Sequence, residues 1–304
     1  MVRASNKILI FALKLAVSGI SLFLIFRKTD IEHVAYILRN IGMPSFLVVS
    51  AIYFASQFVS TVRWRMLMPD KFPVMKLFSL YMIGSFFSTF LPGLIGGDAI
   101  RAYYLNKDAK KISTTLASVF MDRYVGFVSL MIIGIAAFPF SLGTFAGSPY
   151  RWLMPAIFCS FVMVSIFFFG LQLGKRFRVM TEFYDYFSLL RGQKAMIGSA
   201  LALSAIIQVM NFFMVIMLAW RMELQVSLLQ LAVFLPIVIT VSSLPISISG
   251  IGVREGAFVI LLGLIGIRAE AATSLSLSWF FSVVMGSFPG LAFYMFYDRQ
   301  KTKA

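Results

Sequence analysis

Residues 90–105 read FLPGLIGGDAIRAYYL. A proline, three glycines, an Asp and an Arg interrupt a run that is otherwise apolar from 77 to 106. The stretch has a counterpart. Residues 244–258, LPISISGIGVREGAF, interrupt the apolar region 230–266 in the same manner. Each region has an apolar run, a Pro, a Gly-rich break, a charged pair and a second run. Backbone N–H and C=O groups cannot stay unsatisfied in lipid, so irregular backbone at membrane depth must be buried in protein or line a wet cavity. The two regions therefore read as hairpins, A over 77–106 and B over 230–266, each with a protected polar break.

The rest of the chain fits a membrane setting. Of 304 residues, 60% are hydrophobic and 13% charged, and the mean hydropathy is +0.90. Water-soluble chains are about a quarter charged. Apolar runs at about 8–26, 45–62, 114–139, 152–173, 195–220 and 271–296 read as full spans. The first, flanked by Arg3 and Lys7, is too long for a signal peptide and reads as a retained span. The expected fold is an all-α polytopic membrane protein of about six spans and two re-entrant hairpins. No soluble domain or long linker is visible, and 174–194 is the longest polar loop.

Charge sets the orientation. The net charge of +15 comes from 27 basic and 12 acidic residues. If both hairpins re-enter, 17 basic residues fall in cytoplasmic segments and 6 in outer loops, with four more inside apolar segments. If hairpin A crossed instead, the basic loops 107–111 and 174–194 would move outside. Re-entry keeps both termini cytoplasmic and turns the second half upside down relative to the first. The chain then divides into inverted halves, 1–145 with hairpin A and 146–304 with hairpin B, a layout used for midplane transport sites. The anionic cytoplasmic leaflet is the expected partner of the basic loops. Nucleic acid is not, because no basic-aromatic motif accompanies the charge.

The candidate site residues lie at the breaks. Gly96 and Gly97 open a helix whose first turn carries Asp98, with Arg101 three residues on and on roughly the same face. Exposed N–H groups beside an Arg suit a phosphate; an Asp98 cap paired to Arg101 is the alternative without a ligand. At the second break Gly252 precedes Arg254 and Glu255, which serve either a ligand or a brace between the hairpins. Asp122 and Arg123 lie about two turns inside a span. Arg123 can snorkel. Asp122 needs a partner within the bundle, and Arg101 or Arg254 is expected. Lys14 reads as snorkelling, Gln57, Gln208 and Asn211 as interhelical glue. Trp64, Tyr103, Tyr104, Trp152, Trp220, Tyr294 and Tyr297 read as interfacial aromatics.

No catalytic set emerges. The lone Cys159 allows no disulfide framework or thiolate metal site within one chain, the lone His33 reads as a solvated loop residue that argues against His-based catalysis and His-rich metal sites, and no nucleotide loop is present. No cofactor or metal is expected.

Three motifs in order, LPGLIGGDAIRAYYL, ASVFMDRYVGFVSL and LPISISGIGVREGAFV, resemble the lysylphosphatidylglycerol synthase transmembrane (flippase-like domain) family over about residues 8–298. The resemblance implies an integral membrane protein, with a bacterial inner membrane as its setting. In two-domain members this portion moves aminoacylated phosphatidylglycerol between leaflets, while a soluble domain performs aminoacyl transfer. These residues include no such domain, so the resemblance implies a translocase of phospholipid rather than an enzyme. Matched by motif, the substrate-binding positions are Gly96, Gly97, Asp98, Arg101, Asp122, Arg123, Gly252, Arg254 and Glu255. Membrane phospholipids are the implied partners, and a homo-oligomer is compatible with the reading. A membrane enzyme of lipid or polyprenyl head-group metabolism, and a membrane scaffold, are the alternatives.

Overall fold

The computed structural model describes residues 31–70, 72–90, 95–109, 111–172, 178–244, 247 and 249–301. The expected span at 8–26, Lys14 and the break residues 91–94 lie outside them. The described chain is helical, as the apolar periodicity requires. Five helical segments are long and apolar enough to cross a membrane. They are α2 (Met43–Leu67), α5 (Ile112–Ala137, continued by a 3-10 segment Phe138–Phe145), α6 (Leu153–Gly170), α8 (Lys194–Arg221) and α11 (Ala269–Ser287), which runs on past Phe288 into α12 (Pro289–Lys301). These match the five expected spans between 45 and 296.

The hairpins are built from shorter helices. Hairpin A comprises α3 (Val74–Phe90) and α4 (Ile95–Ala109); hairpin B comprises α9 (Leu228–Ser243) and α10 (Val253–Gly263). At 1.5 Å per residue these reach roughly 16–26 Å, less than the ~30 Å hydrocarbon core. Hairpin A closes on itself through glycine. A Cβ on Gly97 would stand 2.0 Å from the Gly84 carbonyl oxygen and 2.1 Å from Ser88 Oγ, and a Cβ on Gly84 would meet the Gly97 carbonyl at 2.9 Å. Only hydrogen fits in that crossing, which explains the glycine at the head of GDAIR.

The packing partners repeat with the halves exchanged. Helix α2 packs against α8. Helix α2 also packs on α11, and α8 on α5; α4 packs on α5, and α10 on α11; α9 packs on α5, and α3 on α11 and α12. Close approach comes from small side chains. A Cβ on Gly286 would lie 2.7 Å from the Ser50 carbonyl, and one on Gly290 would lie 2.1 Å from that of Met82. Small-residue crossings of this kind replace the hydrophobic driving force that lipid removes. Helix α6 is the outlier: Met154 is its one fully buried residue, and about half of its positions are exposed.

Two segments expected as loops are helical. Helix α1 (Ile31–Ile41) precedes α2, and α7 (Arg178–Arg191) occupies most of the polar loop 174–194. The alternation in VMTEFYDYFSLL gives α7 an apolar face, with Phe183, Tyr184, Tyr186 and Leu190 buried against Leu67, Ala117 and Met121. The acids and Arg residues within it disguised an amphipathic helix as a loop. Tyr186 OH donates to the Leu67 carbonyl and Tyr184 OH donates to the Phe168 carbonyl at 3.0 Å, so α7 is tied to the ends of α2 and α6. Ser113 Oγ donates to the Glu182 carboxylate, a third tie, to α5.

Candidate functional site

Asp122 is the centre of one charged network. It lies on α5, fully buried, and both carboxylate oxygens are engaged. Arg63 Nε donates to Oδ1 at 2.9 Å, while Arg101 Nη1 and Tyr81 OH donate to Oδ2 at 3.2 and 3.0 Å. Arg63 also donates from Nη1 to Ser204 Oγ on α8 at 2.9 Å. Room for its guanidinium comes from Gly126, where a Cβ would lie 2.9 Å from Nη1.

Arg101 is 1% exposed and sits between two rings, with its guanidinium carbon 4.3 Å from the centre of a Trp64 ring and 4.4 Å from that of Tyr81. Its faces are thus covered by aromatic π-density. Its edge is not fully used: Nε and Nη2 have no hydrogen-bond partner among the described residues. Nη2 lies 3.4 Å from Asp98 Oδ1, an ion-pair distance without bonding geometry. Asp98 accepts two hydrogen bonds from Arg123, from Nε at 2.8 Å and from Nη2 at 3.2 Å. The Arg123 side chain is 46% exposed although it sits about three turns into α5. The network thus runs from a dry centre to an open edge. Gly97 is buried and Gly96 half-buried in the first turn of α4 beside it.

Hairpin B carries a second, separate network. Gly252 has φ +82, a conformation that favours glycine, and stands just before α10. Its N–H donates to Glu255 Oε2 at 2.6 Å. Glu255 Oε1 accepts from Arg254 Nη2 at 2.7 Å, Arg254 Nε at 3.1 Å and Ser276 Oγ at 2.8 Å. Arg254 lies 4.7 Å from the Phe280 ring centre. Adjacent helix positions point apart, yet the long Arg254 side chain folds back onto its neighbour and pairs with it directly. The expectation that Asp122 finds Arg101 is met, and Arg254 instead belongs to the second network. No hydrogen bond or ion pair joins the two networks directly among the described residues. The hairpins do touch at their tips, where Ser249 Oγ donates to the Ser88 and Thr89 carbonyls at 3.0 and 3.3 Å.

Three participants escaped the sequence reading. Arg63 and Trp64 lie just past the apolar run 45–62, where hydropathy falls, and so read as a loop residue and an interfacial aromatic. The helix continues to Leu67, and both are buried. The signal was present: Ser56, Ser60, Arg63 and Leu67 follow helical spacing on one buried face. Tyr81 is the third, a phenol inside hairpin A. Tyr104 is likewise buried and lies 6.3 and 5.1 Å from the Tyr294 and Tyr297 rings, whereas Tyr103, Trp152 and Trp220 are exposed as expected. Gln208 bridges to the Gly126 carbonyl at 3.2 Å and accepts from Asn211 at 3.3 Å, the expected glue. Among the described residues no cluster of His, Cys, Asp and Glu is placed to hold a metal ion.

Three Arg and two Asp thus lie together in apolar helices, with spare donors on a buried Arg. No curated protein matches this chain. A family model does match it, the lysylphosphatidylglycerol synthase TM region, over residues 11–290. The chain spans membranes, carries its charged network on the GGDAIR and MDRYVGF motifs, and belongs to the lysylphosphatidylglycerol synthase transmembrane family of lipid-handling membrane proteins.

Proposed function

We propose that this protein is a phospholipid translocase and that the Asp122 network receives the lipid phosphate. One observation carries the reading: the network is short of negative charge. Arg63, Arg101 and Arg123 supply three positive charges, and Asp98 and Asp122 two negative ones, which leaves +1. Uncompensated charge is costly in a low-dielectric interior. A phosphodiester supplies one negative charge and acceptor oxygens for the unused Nε and Nη2 of Arg101. The half-exposed Arg123 is the point of first contact, and exchange of Asp98 from Arg123 to Arg101 opens the way inward. Acyl chains stay in lipid, so the head group alone is desolvated.

The exchanged packing, α2 on α11 and α8 on α5, supports a rocking of two inverted halves, 1–145 against 146–304. In this reading both hairpins re-enter, the termini are cytoplasmic, and no aminoacyl transfer occurs in this chain. Anionic or aminoacylated phosphatidylglycerol-like lipids, in a bacterial inner membrane, are the substrates proposed. The Arg254–Glu255 pair acts as a brace, because each charge already has its partner.

The test is reconstitution of the purified protein in liposomes with a panel of head-group-labelled phospholipids. An impermeant quencher reports how fast inner-leaflet label reaches the outside. Faster loss for anionic or aminoacylated lipids, abolished by Arg101→Ala, is the expected result. No acceleration for any phospholipid would refute the proposal and favour a membrane enzyme or a scaffold.

A further inference from the structure

The hairpin tips hold a feature that the anion network does not use. Ser88, in the last turn of α3, and Ser242, in the last turn of α9, each have a buried hydroxyl with no hydrogen-bond partner among the described residues. So does Ser247, 1% exposed, in the break that follows α9. Contacts bring Ser88 and Ser242 to one junction, and Ser247 lies two residues before Ser249, which makes one of them. Ser249 Oγ bonds to the Ser88 carbonyl at 3.0 Å, and a Cβ on the next residue, Gly250, would lie 3.0 Å from that of Ser242. Each hairpin thus closes with a serine at the end of its first helix packed on a glycine, Ser88 on Gly97 and Ser242 on Gly250. Buried hydroxyls are almost always partnered, and three orphans at the ends and breaks of the two hairpins call for an occupant.

The surrounding field gives the sign of that occupant. Helices α3 and α9 both end at the junction, so two sets of terminal carbonyls, the negative ends of their dipoles, converge there. Neither helix has a basic residue in its last turn. The helices that leave the junction, α4 and α10, carry Asp98 and Glu255 in their first turns, and Glu255 accepts the Gly252 N–H directly. The positive helix ends are therefore met by carboxylates of their own, while the negative ends meet no charge on their own helices. Hydroxyl and carbonyl oxygens are hard, neutral ligands that suit a hard cation. With no carboxylate at the tips, neutral oxygens compensate the dehydration of a single charge far better than of two.

We propose that the junction of the two hairpin tips binds one alkali-metal cation through the Ser88, Ser242 and Ser247 hydroxyls and the terminal carbonyls of α3 and α9. Broken helices in membrane transporters place unwound carbonyls and half-helix C-termini around such ions. The site lies on the contact between the hairpins, so occupancy holds the tips together. This inference does not depend on the lipid reading.

The test needs no transport. Purified full-length protein in detergent is titrated with sodium chloride, with choline chloride keeping ionic strength constant. Thermal unfolding and equilibrium binding of radioactive sodium are recorded. The expected result is saturable binding of one sodium ion per chain, with a rise in unfolding temperature that choline does not produce. Ser247→Ala and Ser242→Ala should each weaken binding by about tenfold through loss of one oxygen ligand. Ser247→Thr, which keeps the hydroxyl, should retain binding and guards against simple misfolding. Equal response to sodium and choline, or undiminished binding in both alanine variants, would overturn the proposal and assign the hydroxyls to water.

Discussion

Hairpins A and B begin from nearly the same recipe, a glycine break followed by an acid and an Arg, and arrive at opposite electrostatic states. In hairpin B the recipe closes on itself. Glu255 is fully buried and its oxygens accept four hydrogen bonds, from Gly252, Ser276 and two Arg254 nitrogens. The pair is neutral and nothing is left over. In hairpin A the acid and the Arg stand three residues apart and other helices intrude. Asp122 brings in Arg63, Arg123 claims Asp98, and Arg101 is left with idle donors between two rings. A spacing of one residue gives a closed pair. A spacing of three, opened to other helices, leaves donors idle.

The comparison breaks or sharpens under substitution, most strongly at Asp122. Asp122→Asn leaves Arg63 buried without a counter-charge and Arg101 with Asp98 alone, at 3.4 Å, and should cost ~3–5 kcal/mol, read as a fall in the unfolding midpoint in detergent. An unchanged midpoint would show that the carboxylate does not hold the two Arg residues. Glu255→Gln should cost about 3 kcal/mol by the same mechanism. The folded fraction should nevertheless translocate lipid at the wild-type rate; loss of transport at unchanged stability would make hairpin B a second binding site.

Arg101→Lys keeps the charge and discards the planar fork and much of its stacking on Trp64 and Tyr81. A stability loss of ~1–2 kcal/mol should accompany a fall in anionic-lipid transport of about tenfold or more. Ser204→Ala removes one hydrogen bond to Arg63 and should cost about 1 kcal/mol, with transport lowered in proportion to folded protein. Arg123→Gln has the smallest effect on stability, under about 1 kcal/mol, because the pair is half open to its surroundings. Its transport defect should be confined to anionic head groups. Equal losses for neutral lipids would remove Arg123 as the point of first contact.

Much of this was legible in one sequence. The glycine breaks located both hairpins, and the runs located the spans, because backbone satisfaction in lipid leaves few choices. Asp122 was recognisable as needing a partner. Which Arg it meets was only half legible: Arg101 lies 21 positions away and Arg63 lies 59 away on another helix, and pairing across helices has no local signature. Arg63 looked like a loop residue because hydropathy averages over a window, whereas a helix carries its charges on one face. The α7 helix was lost for the same reason.

Helix α2 carries Arg63 one turn before Leu67, and the Leu67 carbonyl is held by Tyr186 of α7. An amphipathic helix of this kind belongs at the boundary between head groups and acyl chains. Its height follows the membrane, and α2 is hydrogen-bonded to it. A thicker or thinner bilayer therefore does mechanical work on the backbone that supports the charged network. Mismatch energies of a fraction of a kcal/mol per Å are small against a buried ion pair and comparable to the hydrogen bonds that tune it. On the proposed function the lipid is then both cargo and actuator: its phosphate addresses the site, and its chain length sets the tension under which the site operates.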